Sequence, residues 1–289
     1  MSDSTLDNLA RHAPRSRFMS RYGPWAVVTG ASDGIGRELA LGAAARGLSV
    51  VVCARRRQAL DELASRLETD FGVDVLVVDA DLGTREGVAK LLETTSGLDV
   101  GLFAAAAGFG TSGNFLDGVL EDELGMIDVN CRAVAELTHT FGRRLVQRGR
   151  GGLVLFSSLV AFQGVPRAAN YAATKAYIQS LAEALGVELA PSGIDVVASA
   201  PGPVDSGFAS RARMIMGSAA TPRVVAEGTL NALGRSRVVR PGWLSKLLEL
   251  SLATLPRVGR VRMMGVVMAG MTKHASIPPV PRLSEGDRP

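Results

Sequence analysis

The stretch that decides the fold runs Trp25-Ala26-Val27-Val28-Thr29-Gly30-Ala31-Ser32-Asp33-Gly34-Ile35-Gly36. Its first five residues are apolar or β-branched, as expected of a strand buried on both faces. Glycines at 30, 34 and 36 then allow a tight turn, and an amphipathic helix is expected over 34–46. A helix opening straight out of such a loop presents free backbone N–H groups and the positive end of its dipole. Gly30, Ser32, Asp33, Gly34, Ile35 and Gly36 are therefore candidates to cradle a pyrophosphate. The spacing is GxxxGxG rather than GxGxxG.

Outward from this loop the same alternation recurs. Short apolar runs at 48–53, 73–78, 100–106, 153–157 and 195–200 read as strands, and 237–240 reads as a short edge strand. Helical periodicity occupies 57–70, 84–95, 117–148, 169–189 and 221–233. Near-continuous apolar strands separated by amphipathic helices specify an α/β fold with a doubly wound parallel sheet. Three regions are expected: a polar leader at 1–23, the α/β domain at 24–240, and a helical C-terminal extension with a loose tail at 241–289. Composition changes at the second boundary, into a leucine-rich segment at 243–255, a methionine-rich segment ending at Met271, and a proline-rich tail.

The composition excludes several classes. The chain has 289 residues, of which 47% are hydrophobic and 21% charged, which suits a globular protein with a sizeable core. Cys53 and Cys131 lie far apart, and His12, His139 and His274 are scattered, so neither a disulfide framework nor a metal site is expected. A net charge of +4 with 5% aromatic residues gives no basic, aromatic-interleaved patch, so nucleic acid is not an expected partner. Residues 1–24 carry no apolar signal core and no stretch reaches membrane-spanning length, so a cytoplasmic location is expected.

Two further places carry chemistry. The second strand ends in Cys53-Ala54-Arg55-Arg56-Arg57, where a carboxylate would take the ribose 2′-hydroxyl of NAD. Arg55 instead suits a 2′-phosphate, so NADP (as NADPH) is favoured, with NAD the alternative. Asp81-Leu82, after the third strand, can receive an adenine; Asp81 is equally placed to cap the helix near Thr84. Tyr171 and Lys175 stand at i and i+4 on one helix face, a spacing that chance supplies only about 0.04 times in a chain with three tyrosines and four lysines. A cation beside a phenol lowers its pKa and makes tyrosine a usable acid/base. Ser158, at the carboxyl end of the fifth strand, can bond a substrate carbonyl together with the tyrosine; Ser157 is its competitor.

TGASDGIG at 29–36, Asp81, Asn130, Ser158, Tyr171-Ala172-Ala173-Thr174-Lys175 and Pro201-Gly202 occur in an order that resembles the short-chain dehydrogenase/reductase family over residues 24–240. The resemblance implies a Rossmann fold with a seven-stranded sheet, NAD(P)-dependent interconversion of carbonyls and alcohols, and a homodimer or homotetramer. It implies that Tyr171 is the general acid/base and that Lys175 binds the nicotinamide ribose and lowers the tyrosine pKa. It further implies that Ser158 positions the carbonyl and that Asn130 holds a water in a proton relay. Pro201, Gly202, Val204 and Ser206 match the loop that holds the nicotinamide carboxamide, with serine at 206 where threonine is usual. One departure is clear: the family's NNAG is here Ala105-Ala106-Ala107-Gly108, so the asparagine that braces the central sheet is missing beside the cofactor-bordering Ala107.

The entry Tyr22-Gly23-Pro24-Trp25-Ala26-Val27-Val28-Thr29-Gly30, with Ser32-Asp33-Gly34, resembles a subgroup that includes long-chain 3-oxoacyl-CoA reductases and some hydroxysteroid dehydrogenases. The expectation is NADPH-dependent reduction of a bulky apolar ketone; the alternatives are an NAD-dependent alcohol dehydrogenase and a non-catalytic NAD(P)-binding regulator. Residues 208–217, with Met214, Ile215 and Met216, are expected to cover the substrate. Leu244, Leu247, Leu248, Leu252, Met263, Met264, Met268 and Met271 can join them, or can form ordinary packing helices or a subunit interface. The basic run through 241–273 suits an anionic membrane surface or acyl-CoA phosphates, and equally a solvated face.

Overall fold

A computed structural model describes residues 17–212, 214, 219–242 and 255–272. Seven strands, β1 (Trp25–Thr29), β2 (Ser49–Ala54), β3 (Val75–Asp79), β4 (Val100–Ala105), β5 (Gly151–Phe156), β6 (Ile194–Ser199) and β7 (Val238–Val239), form one sheet. Their order is β3-β2-β1-β4-β5-β6-β7 and every pairing is parallel. This is the doubly wound, Rossmann-type sheet that the apolar strand runs specify. The order reverses between β1 and β4, which opens a crevice at the carboxyl ends of the strands.

The described helices are α1 (Arg17–Tyr22), α2 (Gly34–Ala44), α3 (Arg57–Phe71), α4 (Arg85–Thr94), α5 (Leu120–Ile127), α6 (Ala133–Arg148), α7 (Ala169–Glu188), α8 (Gly207–Arg211), α9 (Pro222–Ala232) and α10 (Arg257–Met271). Side chains alternate across each strand. Val28, Val50, Val52, Leu102 and Val154 therefore join Leu39 of α2, Leu63 of α3 and Leu230 of α9 on one face. Val27, Val51, Phe103 and Leu153 join Leu91 of α4, Phe141 of α6 and Ile178 of α7 on the other. The Phe103 and Phe141 rings stack with centroids 4.6 Å apart.

Two elements differ from the sequence expectation. The end of the leader is a helix packed on the sheet: Tyr22 is buried and donates to Asp195 at 2.7 Å, and Arg21 pairs with the same carboxylate. The helix expected over 117–148 is α5, then a π-helical turn at Asp128–Arg132, then α6. The apolar spacing runs through this π turn without a break, so periodicity conceals it.

Candidate active site

A cavity of about 660 Å³ lies at the carboxyl ends of the strands. At its floor the glycine loop turns from β1 into α2. Gly30 and Gly34 take φ of +69° and +51°, where a side chain would be strained, and a Cβ on Gly36 would overlap the Gly30 carbonyl. Asp33 caps α2, its carboxylate accepting from Gly34 N at 2.7 Å. Ser32, Asp33 and Ile35 line the cavity with these glycines.

One end of the cavity carries two arginines, Arg55 and Arg56, facing Asp81 and Asp33. Arg56 donates to the Ser32 carbonyl at 3.0 Å and to its hydroxyl at 3.2 Å, and lies 3.8 Å from Asp33. Arg55 lies 3.9 Å from Asp81. Both pairs are long and exposed, so they hold their arginines weakly and leave them free to take an anion. The sequence reading made Arg55 the chief phosphate contact; the structure brings Arg55 and Arg56 together to the cavity wall, with Arg56 against the glycine loop. Asp81 and Leu82 stand beside them. Asp81 accepts from Gly83 N at 2.9 Å, while Thr84 is the residue that caps α4, so Asp81 is not a helix cap.

The turn after β4 is braced by Thr29, a role the sequence reading missed. Its hydroxyl accepts from Ala106 N and Ala107 N, both at 3.1 Å, and so ties β1 to β4 where the usual asparagine is absent. Ala107 lines the cavity. On the facing side Pro201, Gly202, Val204 and Ser206 line it after β6.

Ser158, Tyr171 and Lys175 converge at the centre. The Ser158 hydroxyl lies beside Tyr171 and accepts from Val160 N at 3.4 Å, whereas Ser157 turns away and donates to the Lys175 carbonyl at 3.1 Å. Strand alternation thus separates the two serines. The Lys175 Nζ donates to Phe156 O at 2.8 Å and lies 5.8 Å from the Tyr171 ring centroid. Burial pushes the Lys175 ammonium down to about 8 and the Tyr171 phenol up to about 12, with the neighbouring Ser158 hydroxyl opposing the second shift. Desolvation in the packed site is the leading cause of both shifts. Tyr171 keeps its proton through neutral pH.

Asn130 sits on the π turn and is brought near these residues, but it is not among those lining the cavity. Its side chain accepts from Phe109 N at 3.1 Å and donates to Phe109 O at 2.9 Å and to Thr174 Oγ1 at 3.1 Å. That amide is therefore committed to the protein, and it holds the loop after β4.

Beyond Tyr171 the cavity becomes apolar. Phe208 packs on the Tyr171 ring with centroids 5.3 Å apart, and Met214, Met263, Met264, Met268 and Met271 form the far wall. Val160, Ala168 and Val267 line it as well, and Phe109 carries the Arg211 guanidinium 4.1 Å above its ring. Phe109 and Arg211 meet only because the segment after β4 and α8 come together at the cavity, so no local pattern announces them. Ile215, Met216, Leu244, Leu247, Leu248 and Leu252 lie outside the described residues.

The arrangement fits a dinucleotide: a tight glycine cradle at a helix N-terminus with two arginines at one end and Ser158, Tyr171 and Lys175 at the other. A family model described as short chain dehydrogenase matches residues 24–214. A 7beta-hydroxysteroid dehydrogenase of Clostridium sardiniense is 32% identical over 180 residues, spanning 62% of this chain and 69% of its own. A very-long-chain 3-oxoacyl-CoA reductase of Phaeosphaeria nodorum is 30% identical over 229 residues, 76% of this chain and 67% of its own. The solved structure of a short-chain dehydrogenase from Sphingobium yanoikuyae in complex with NADPH superposes with a TM-score of 0.73 at 29% identity, over 81% of this chain and 97% of that one. Sheet order, glycine loop and matched relatives agree: this chain is an enzyme of the short chain dehydrogenase family.

Proposed function

We propose that this enzyme reduces a bulky apolar ketone, such as a steroid ketone or a 3-oxoacyl thioester, to a secondary alcohol with NADPH. The observation that carries the reading is that Ser158, Tyr171 and Lys175 share one cavity with the glycine loop, the two arginines and a wall of methionines. The glycine loop and α2 bind the diphosphate, Arg55 and Arg56 take the 2′-phosphate, and Asp81 with Leu82 receives the adenine. Pro201, Gly202, Val204 and Ser206 orient the carboxamide. When bound, the dinucleotide supplies the hydride.

The protein's part is orientation and the proton. Ser158 bonds the carbonyl oxygen and Tyr171 donates its proton to it. Tyr171 in its protonated form is the donor that ketone reduction requires. The Lys175 charge stabilises the phenolate left behind. The methionine wall moulds to an apolar body, and the relatives named for steroid and very-long-chain acyl substrates support that substrate class. A second copy of the chain covers the exposed apolar residues Leu116, Val119, Leu120 and Leu124, giving a homo-oligomer.

The test is a panel of a steroid ketone, a long-chain 3-oxoacyl-CoA and a small ketone, each with NADPH and NADH and followed by nicotinamide absorbance. Preference for the large apolar ketones with NADPH is expected. Turnover confined to the small ketone, or to the alcohols with NAD, overturns the reading.

A further inference from the structure

Three acidic residues open α5: Glu121, Asp122 and Glu123. The first two face solvent, as acids in a first helical turn usually do. Glu123 is 7% exposed. A buried carboxylate is costly unless its oxygens are bonded, and both of these are. Oε1 accepts from the Thr111 hydroxyl at 2.6 Å, and Oε2 accepts from the Asn170 amide at 2.7 Å. The same amide donates to the Glu123 backbone carbonyl at 2.9 Å.

These two partners hold opposite sides of Tyr171. Asn170 precedes it in the first turn of α7, whose cap residue Ala168 makes no side-chain bond to the helix. Thr111 follows Gly110, and Gly110 lies flat against the phenol ring: a Cβ there would stand 3.0 Å from the ring and 2.8 Å from Phe208. One carboxylate therefore joins the start of the tyrosine's own helix to the loop that covers its ring. The loop has further ties, from Phe109 to Asn130, whose amide bonds Thr174 on α7, from Ser112 to the Ala212 carbonyl, and from Gly113 to the Arg167 carbonyl just ahead of α7. Among these the Glu123 carboxylate bonds side chains on both sides of the tyrosine.

We infer that Glu123 is a positioning residue for the proton donor: its buried carboxylate clamps the loop after β4 to the α7 N-terminus and so sets where the Tyr171 hydroxyl points. The inference rests on the assignment of Tyr171 as proton donor. Glu123 touches neither the phenol nor the cavity, so it acts through geometry alone. A glutamine has the same length; its carbonyl accepts from Asn170 and its amide donates to the Thr111 hydroxyl. An alanine breaks both links.

The experiment compares Glu123→Ala, Glu123→Gln, Thr111→Val and Tyr171→Phe in the full chain with two readouts. The first is fluorine NMR of protein labelled with 3-fluorotyrosine; the chain holds three tyrosines, and the Tyr171 line is the one missing from Tyr171→Phe. The second is NADPH-dependent reduction of the steroid ketone, with NADPH affinity measured separately. Glu123→Ala is expected to shift or broaden the Tyr171 line and to lower kcat about tenfold to a hundredfold, with KM and NADPH affinity nearly unchanged. Glu123→Gln restores both readouts, and Thr111→Val gives a smaller change of the same kind. Thr111→Val also serves as the informative variant if Glu123→Ala does not fold. An unmoved Tyr171 line in the alanine variant, or a glutamine variant as impaired as the alanine, overturns the clamp. Tyr171→Phe with full turnover would instead overturn the proton-donor assignment, while the NMR comparison still decides the clamp.

Discussion

The Tyr171 hydroxyl is the group whose loss tests the chemistry most directly. Tyr171→Phe keeps the ring against Gly110 and Phe208, so the fold and NADPH affinity should survive while turnover falls about 10²–10⁴-fold. Calorimetric binding and steady-state kinetics on the same preparation check both halves. The pH dependence follows from Lys175. Its ammonium, held down to about 8 by burial, is charged below that pH and neutral above it. Since the charge stabilises the developing phenolate, kcat for ketone reduction should be level near neutrality and fall as pH rises through about 8. A profile flat to about pH 10 would contradict this. At the other end of the cavity, charge-assisted bonds to a 2′-phosphate are worth about 1.5–3 kcal/mol each. Arg55→Ala with Arg56→Ala should therefore remove most of the NADPH-over-NADH preference in dissociation constants; an unchanged ratio would remove the arginines from cofactor choice.

Among the elements, α10 has the clearest division of labour. Its inner side sends Met264, Met268 and Met271 into the apolar chamber, and Gly265 packs against Pro166. Its outer side exposes Val258 and Val266. Ending the chain after Gly242 should leave the sheet intact, because β1 to β7 all precede that point, and should raise KM for the steroid ketone more than for a small one. Circular dichroism with paired kinetics tests this; an unfolded product would show α10 to be part of the core instead. The helices against the sheet answer differently. Phe141 of α6 is fully buried against Phe103, so Phe141→Ala should cost about 3–5 kcal/mol in denaturant unfolding, with little effect on KM in what remains folded.

At the scale of the whole molecule, no described helix is long and apolar enough to cross a membrane. The exposed apolar side chains concentrate instead around α5: Phe115, Leu116, Val119, Leu120, Leu124 and Ile127. A monomer rarely exposes so continuous a patch. If a second copy covers it, light scattering should show a dimer or larger species, and Leu116→Glu with Leu120→Glu should release monomer. A wild-type monomer at all concentrations would overturn the assembly.

By itself the sequence determined what local chemistry can encode. Glycines at 30, 34 and 36 after a β-branched run specify the turn whatever the rest of the chain does, and apolar runs too continuous for a half-exposed strand specify a sheet covered on both faces. The i, i+4 spacing of Tyr171 and Lys175 likewise needs only a helix. Tertiary structure alone decided the rest, because it depends on segments far apart in sequence. Thr29 braces the turn after β4 only because β1 lies beside β4. Tyr22 becomes core only because Asp195 sits on β6 to receive it. The direction of the Tyr171 shift also belongs to this class. Sequence supplies the cation beside the phenol, but only the packed cavity sets how much water each keeps, and burial raises the phenol and lowers the ammonium.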